Sequence, residues 1–150
     1  MNMKRKDFML TPNVSYNEMT RSTWAERNHV SNNPTSVQTV ALKNLALTLM
    51  EPLRRQFGTV EIRSAFRTPA VNEGMRDVGC SCHLTGEAVD ISFPDQETGR
   101  AYYRFILANI DFDQLFFEYD RHGNTWLHCS VCAHAWMNRH QSFPNYRVKV

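Results

Sequence analysis

From position 35 the chain settles into a helical rhythm. Val37, Val40, Ala41, Leu45, Leu49 and Leu53 recur at spacings of three and four, so one apolar stripe faces a core over residues 37–57. Thr35-Ser36-Val37-Gln38 reads as a capping box at its start; Pro52 is expected to bend the helix or open a separate last turn, and Gly58 to end it. The rhythm then changes to period two. Over residues 59–66, Val60 and Ile62 fall on one side and Glu61 and Arg63 on the other, which predicts a strand. Thr68-Pro69 sets a cap residue before a proline at the first helical position, predicting a helix of about ten residues closed by Gly79, with a loop over 80–87. Residues 88–93 form the next strand, with Val89, Ile91 and Phe93 on one face and Ala88, Asp90 and Ser92 on the other. A helix over 96–109 buries Ala101, Tyr102, Phe105 and Ile106. Residues 112–119 and 125–131 read as two strands around Arg121-His122-Gly123-Asn124, a hairpin. Centred on Gly123, that turn sets Glu118 opposite His128 with both side chains on one face. Before residue 35 the pattern is weak, with short helical turns around 16–28, and residues 133–150 are basic, polar and aromatic with no assignable element.

This order of elements predicts an α+β domain, a small antiparallel sheet with helices packed on one face. At 150 residues it is expected to be one domain with a real core. The boundaries drawn are 1–14 as an N-terminal extension, 15–132 as the domain and 133–150 as a tail of unassigned role. Composition is that of a soluble globular chain, 42% hydrophobic and 21% charged with mean hydropathy -0.48. A net charge of +2 without clustered Lys and Arg argues against a nucleic-acid partner. The basic start Met1-Asn2-Met3-Lys4-Arg5-Lys6-Asp7 leads into no apolar run of signal-peptide length, and no stretch reaches membrane-spanning length. The expectations are therefore synthesis in a cytoplasm, no membrane partner and a monomer.

Candidate chemistry centres on Ser81-Cys82-His83-Leu84-Thr85-Gly86-Glu87-Ala88-Val89-Asp90, which offers an imidazole and a carboxylate where a loop enters a strand. Both are ligands zinc accepts, and His128 in Thr125-Trp126-Leu127-His128 supplies a third. Two His and one Asp leave the fourth tetrahedral position open, as catalytic rather than structural zinc sites do. The expected reaction is hydrolysis, with Glu118 as general base and His122 as the fallback. Arg67, where a strand hands over to a helix, is placed to fork onto a substrate carboxylate or a developing oxyanion. Ser81 is a hydrogen-bonding candidate toward substrate or ligands, and Gly86 permits the turn that lets residues 83 and 90 converge. Cys80, Cys82, Cys129 and Cys132 leave open a four-thiolate zinc site, a redox role, or plain free thiols in a reducing compartment.

Ser64-x-x-Arg67-x-Pro69-x-x-Asn72, Ser81-x-His83-x-x-Gly86-x-Ala88-x-Asp90, Phe112-Asp113-Gln114-Leu115 with Glu118, and Trp126-x-His128-x-Ser130 together resemble the zinc D-alanyl-D-alanine carboxypeptidase family. Its relatives include phage L-alanyl-D-glutamate endopeptidases and the hedgehog signalling domain. The resemblance covers about residues 15–132 and is most specific in its central motif. It implies a hedgehog-like α+β fold and one catalytic Zn2+ on His83, Asp90 and His128. It further implies Arg67 as a substrate- or transition-state-binding arginine and peptidoglycan stem peptides as the partner; Ser81 and Trp126 are the other candidate substrate-binding residues. A phage or prophage endolysin, made in the cytoplasm and acting on the cell wall after release, is the expected role. A non-catalytic zinc-binding module of the same fold and a cytosolic muropeptide-trimming dipeptidase are the alternatives. Two departures stand out: Thr125 occupies the place where many members carry Glu three residues before the last ligand, and Cys82 stands where Gln is common.

Overall fold

The computed structural model describes residues 7–77 and 81–148. It begins with a small hairpin that the weak early pattern did not reveal, β1 (Met9–Thr11) pairing antiparallel with β2 (Val14–Ser15). Ser15 and Glu18 then close a capping box on α1 (Tyr16–Thr20), and Ser22 caps α2 (Thr23–Arg27). The expected Thr35–Gln38 box starts α3 (Ser36–Leu45). Next comes a π-turn, Ala46–Met50, and then α4 (Glu51–Phe57), which ends at Gly58 with φ of 78°. Pro52 has no N–H to donate and sits in the first turn of α4, where none is needed, while the wider turn ahead of it absorbs the change in hydrogen-bond phase. Glu51, at that junction, is buried; against the upward push of burial, hydrogen bonds from Thr11 and Asn13 hold its carboxyl below the usual range and tie the first hairpin to the helix.

The buried face of this helical segment differs from the expected stripe. Ala41, Leu42, Leu45, Ala46, Leu49, Met50 and Leu53 are buried, whereas Val37 and Val40 are 78% and 69% exposed. The first turns of α3 face the 82–86 turn through Gln38, Ala41 and Leu42, which rotates the two valines to solvent.

The main sheet is built from β3 (Glu61–Ser64), then, after α5 (Pro69–Gly74), β4 (Ala88–Ser92), and, after α6 (Gln96–Asn109), β5 (Gln114–Tyr119), β6 (Thr125–Ser130) and β7 (Gln141–Arg147), in the order β3-β4-β6-β5-β7. Four strands pair antiparallel as expected, while β7 pairs parallel with β5, so the sheet is mixed. The fifth strand comes from the tail that carried no assignment. It is turned back by a 3-10 turn at Ala135–Met137 and clasped by the buried carboxylate of Asp113, which accepts from the Arg139 backbone N–H at 3.0 Å and from its Nε and Nη2 at 2.8 Å each. Helix α5 is shorter than the expected ten residues and closes on Met75, followed by Arg76 at φ of 59°; Gly79, expected to close it, lies outside the described residues. The expected 80–87 loop holds a 3-10 turn, Cys82–Thr85.

Alternation divides the sheet cleanly. Ile62, Val89, Ile91, Leu115, Phe117, Leu127 and Cys129 point into a core completed by α3, α4 and α6. Each large apolar side chain wholly buried there stabilises the fold by roughly 1.5–3 kcal/mol. The opposite face carries Asp90, Phe116, Glu118, Trp126 and His128. The β5–β6 hairpin corrects the expected register by two residues: Glu118 pairs with Trp126, and His128 with Phe116. The cause is Asp120, whose side chain accepts from the His122 and Asn124 backbone N–H groups and the Asn124 amide while its own N–H reaches the Asn124 carbonyl. The turn is thereby centred on His122 instead of Gly123. A shift of two preserves the face, so Glu118 and His128 remain diagonal neighbours on one side.

The Asp113 clasp yields a pH-dependent expectation. Hydrogen bonds from Arg139 hold the Asp113 carboxyl below its ordinary range. A depressed native pKa stabilises the fold above the unfolded value of about 3.9 and loses that contribution as pH falls through the native value. Arg139→Ala is expected to lower the unfolding free energy at pH 7, by an amount limited by solvent screening of the exposed guanidinium. Urea titrations should show the two proteins converging in acid; a gap independent of pH contradicts the clasp.

Candidate metal centre

Two backbone devices bring residue 83 to the sheet. Ser81 Oγ accepts the His83 N–H at 3.3 Å and starts the 3-10 turn, and Gly86, at φ of 78°, ends it. A Cβ on Gly86 would lie 2.7 Å from the Gln38 carbonyl oxygen, so both backbone angle and packing require glycine. The turn is docked on the residues after β3: the Arg67 N–H donates to the His83 carbonyl at 3.1 Å, and His83 Nδ1 lies 2.6 Å from the Ala65 carbonyl. A carbonyl only accepts, so Nδ1 carries the hydrogen and Nε2 keeps a free lone pair. Asn32, buried, fixes the same segment by donating to the Thr20 and Phe66 carbonyls and accepting from the Thr68 N–H.

Asp90 and His128 are direct cross-strand partners on β4 and β6. His83 Nε2 stands 3.3 Å and His128 Nδ1 3.0 Å from Asp90 Oδ1, and the three donor atoms lie within 4.8 Å of one another. A tetrahedral zinc with bonds of about 2.0–2.1 Å has ligand-to-ligand edges of about 3.3–3.4 Å, so the donor set fits that ion in element type and spacing. Among the described residues this is the one group of three or more His, Cys, Asp or Glu whose donors converge in this way.

The second Asp90 oxygen is held by Arg67 Nη2 at 3.1 Å. The buried guanidinium also reaches Ser64 Oγ through Nε at 3.1 Å, and Asp77 at 2.6 Å and Asn72 at 3.4 Å through Nη1. Burial would raise the Asp90 pKa, but the hydrogen bond and charge of His128 hold it far below the usual carboxylate range. For His83, burial outweighs the pull of Asp90 and keeps the imidazole neutral. For His128 the balance reverses, and hydrogen bonding and attraction from Asp90 raise the pKa despite burial.

Glu118 stands beside this cluster without joining it. Burial pushes its pKa up to about 7; the Asp90 and Asp77 charges push the same way, and His128 and a hydrogen bond with Trp126 oppose them. Trp126 is nearly buried, with the Arg63 guanidinium 4.3 Å over its ring. His122, the fallback base, is exposed at the hairpin tip, where its Nε2 accepts from Arg121 Nε. Cys129 points into the core, where burial drives its thiol well above the normal range, and burial, with the charge of Asp113 adding, takes Cys132 up to about 11. Both shifts disfavour the thiolates a four-cysteine zinc site needs, and Cys80 lies outside the described residues. Sequence patterns gave no sign of the Ala65 carbonyl, since any residue type supplies one, nor of Asp77 and Phe116.

A family model described as Peptidase M15 matches residues 12–130, well over half of the chain. A search of the curated proteins finds no match. Among the described residues no helix is long and apolar enough to cross a membrane.

The stability of the metal-free protein is expected to depend on Arg67. Arg67→Ala strands the buried Asp90 carboxylate and should cost about 3–5 kcal/mol. Arg67→Lys should recover only part, because one ammonium cannot reach Ser64, Asp77 and Asp90 from a single planar fork. Urea unfolding of the three proteins checks this; a Lys variant as stable as wild type contradicts it.

Proposed function

The chain belongs to the peptidase M15 family, and from that premise we propose that it is a zinc-dependent hydrolase of peptidoglycan stem peptides. The proposed cut is of the D-Ala-D-Ala carboxypeptidase or L-Ala-D-Glu endopeptidase type, in a phage or prophage endolysin that reaches the wall after release. The observation that carries the reading is the convergence of His83 Nε2, Asp90 Oδ1 and His128 Nδ1 next to a buried carboxyl with a pKa near neutrality. A non-catalytic zinc module needs the first feature but has no use for the second.

His83, Asp90 and His128 would hold the metal. Bound there, zinc would supply Lewis-acid polarisation of the scissile carbonyl and a water acidic enough to be a nucleophile near neutral pH. Glu118, as the carboxylate, takes the proton of the attacking water and, as the acid, returns it to the departing amine, which a group with a pKa near the working pH does in both directions. Ala65 holds His83 in the tautomer that presents Nε2. Arg67, buried with its donors on Ser64, Asn72, Asp77 and Asp90 instead of the expected fork onto a substrate, positions Asp90 by holding its second oxygen. Ser81 orders the His83 turn, while Trp126 both fixes the Glu118 carboxyl and forms part of the wall a substrate meets.

Zinc-loaded protein incubated with purified sacculi is expected to release new amino groups, with mass spectrometry of the products identifying the bond. Chelation should abolish release and zinc restore it. Glu118→Gln should retain one zinc per chain while losing about 10²–10⁴ in kcat. Only the ionised Glu118 accepts a proton, so kcat/KM should rise with pH, and because a dication nearby favours the carboxylate, the midpoint should fall at or below 7. No released amine from sacculi or soluble muropeptides, with zinc bound, rules out the hydrolase reading.

A further inference from the structure

The ring of His128 is held at one edge by Asp90 and on one face by Phe116, whose centroid is 5.5 Å away at 28°. Phe116 is not itself fixed by the core, since it projects from the opposite face of the sheet and is only partly buried. What fixes it comes from β7. Tyr146 stacks on Phe116 at 4.8 Å and 16°, and Phe143 meets it edge-on at 4.9 Å and 76°. These two rings belong to a segment beyond the stretch 12–130 that the family model matches.

The backbone of β7 is shaped to deliver them. Phe143 lies opposite Phe116 and Tyr146 opposite Glu118, so three steps on β7 span two on β5. A regular strand would put Phe143 and Asn145 on one face; the extra residue puts Tyr146 there instead. Pro144, which has no N–H for the ladder, sits within this irregularity, and its carbonyl accepts from Arg100 Nη1 of α6 at 2.5 Å. The Arg139–Asp113 clasp sets the start of the same strand.

We propose that β7 is a positioning element of the zinc site, in which Tyr146 and Phe143 hold Phe116 against the His128 imidazole and so pre-set the orientation of that ligand. The proposal rests on the zinc reading of His83, Asp90 and His128. Its logic is that of any group behind a metal ligand: the ring that cannot rotate away binds the ion without first losing rotational freedom.

Competition of the protein against a zinc-chelating dye tests it. Tyr146→Ala and Phe143→Ala should each weaken zinc binding by about tenfold, whereas Tyr146→Phe, which keeps the ring, should match wild type. In a Phe116→Ala background, Tyr146→Ala should add nothing, a coupling that general destabilisation of an edge strand would not produce. The visible spectrum of the cobalt-loaded Tyr146→Ala protein should differ from wild type. If that variant does not fold, Tyr146→Leu, with bulk but no ring, carries the same expectation. Wild-type zinc affinity and cobalt spectrum in the ring-less variants overturn the inference and leave the zinc reading standing; a wild-type chain that takes up no zinc overturns the zinc reading itself.

Discussion

A carboxylate taken out of water costs several kcal/mol unless it is paired on every side, and Asp90 meets that demand with both oxygens. Oδ1 pairs with His128 Nδ1, with the lone pair of His83 Nε2 alongside it, and Oδ2 pairs with Arg67. Each partner reaches it from a different part of the chain. His128 is across the β4–β6 ladder, His83 is on the turn that precedes β4, and Arg67 follows β3. The 35–57 helical segment braces that turn from behind through the contact that leaves no room for a side chain on Gly86. The site is therefore a consequence of how the fold neutralises one buried charge, and the geometry that does so is also that of a set of zinc ligands.

Two carboxyls a strand apart have been pushed in opposite directions. Asp90, surrounded by cations and donors, is held ionised; Glu118, buried against Trp126 with fewer donors and with the Asp90 charge nearby, is pushed to about 7. In the proposed mechanism this separation makes Asp90 the permanently charged ligand and Glu118 the group that transfers protons. The sheet makes the separation possible because its two faces do different jobs. One face carries the aliphatic core that keeps the strands rigid, while the other presents polar and aromatic groups in a fixed register.

The three residues that converge were readable in the sequence because their signals are local. Period two placed Asp90 away from Val89 and Ile91, and a glycine at 86 marked the turn that folds His83 back. The longer elements were readable for the same reason, with the Thr35–Gln38 box and α6 falling where caps and periodicity put them. What stayed hidden depends on tertiary choices. The hairpin register turned on side-chain hydrogen bonds of Asp120, a residue that alternation does not rank. The exposure of Val37 and Val40 follows from which face of α3 meets the 82–86 turn. Strand β7 escaped because Pro144 and an irregular register erase its alternation, and a parallel pairing across 27 residues of chain, from Gln114 to Gln141, leaves no turn signal.

The central claim is that one ion binds where the Asp90 carboxylate and the two imidazoles meet. X-ray diffraction from crystals of the zinc-loaded protein, with anomalous data on both sides of the zinc edge, tests it most directly. The account predicts a single strong anomalous peak bonded to His83 Nε2, Asp90 Oδ1 and His128 Nδ1, with its remaining position open to solvent. A peak centred on cysteine sulfurs, or three donors that stay paired with one another while zinc sits elsewhere, would contradict it.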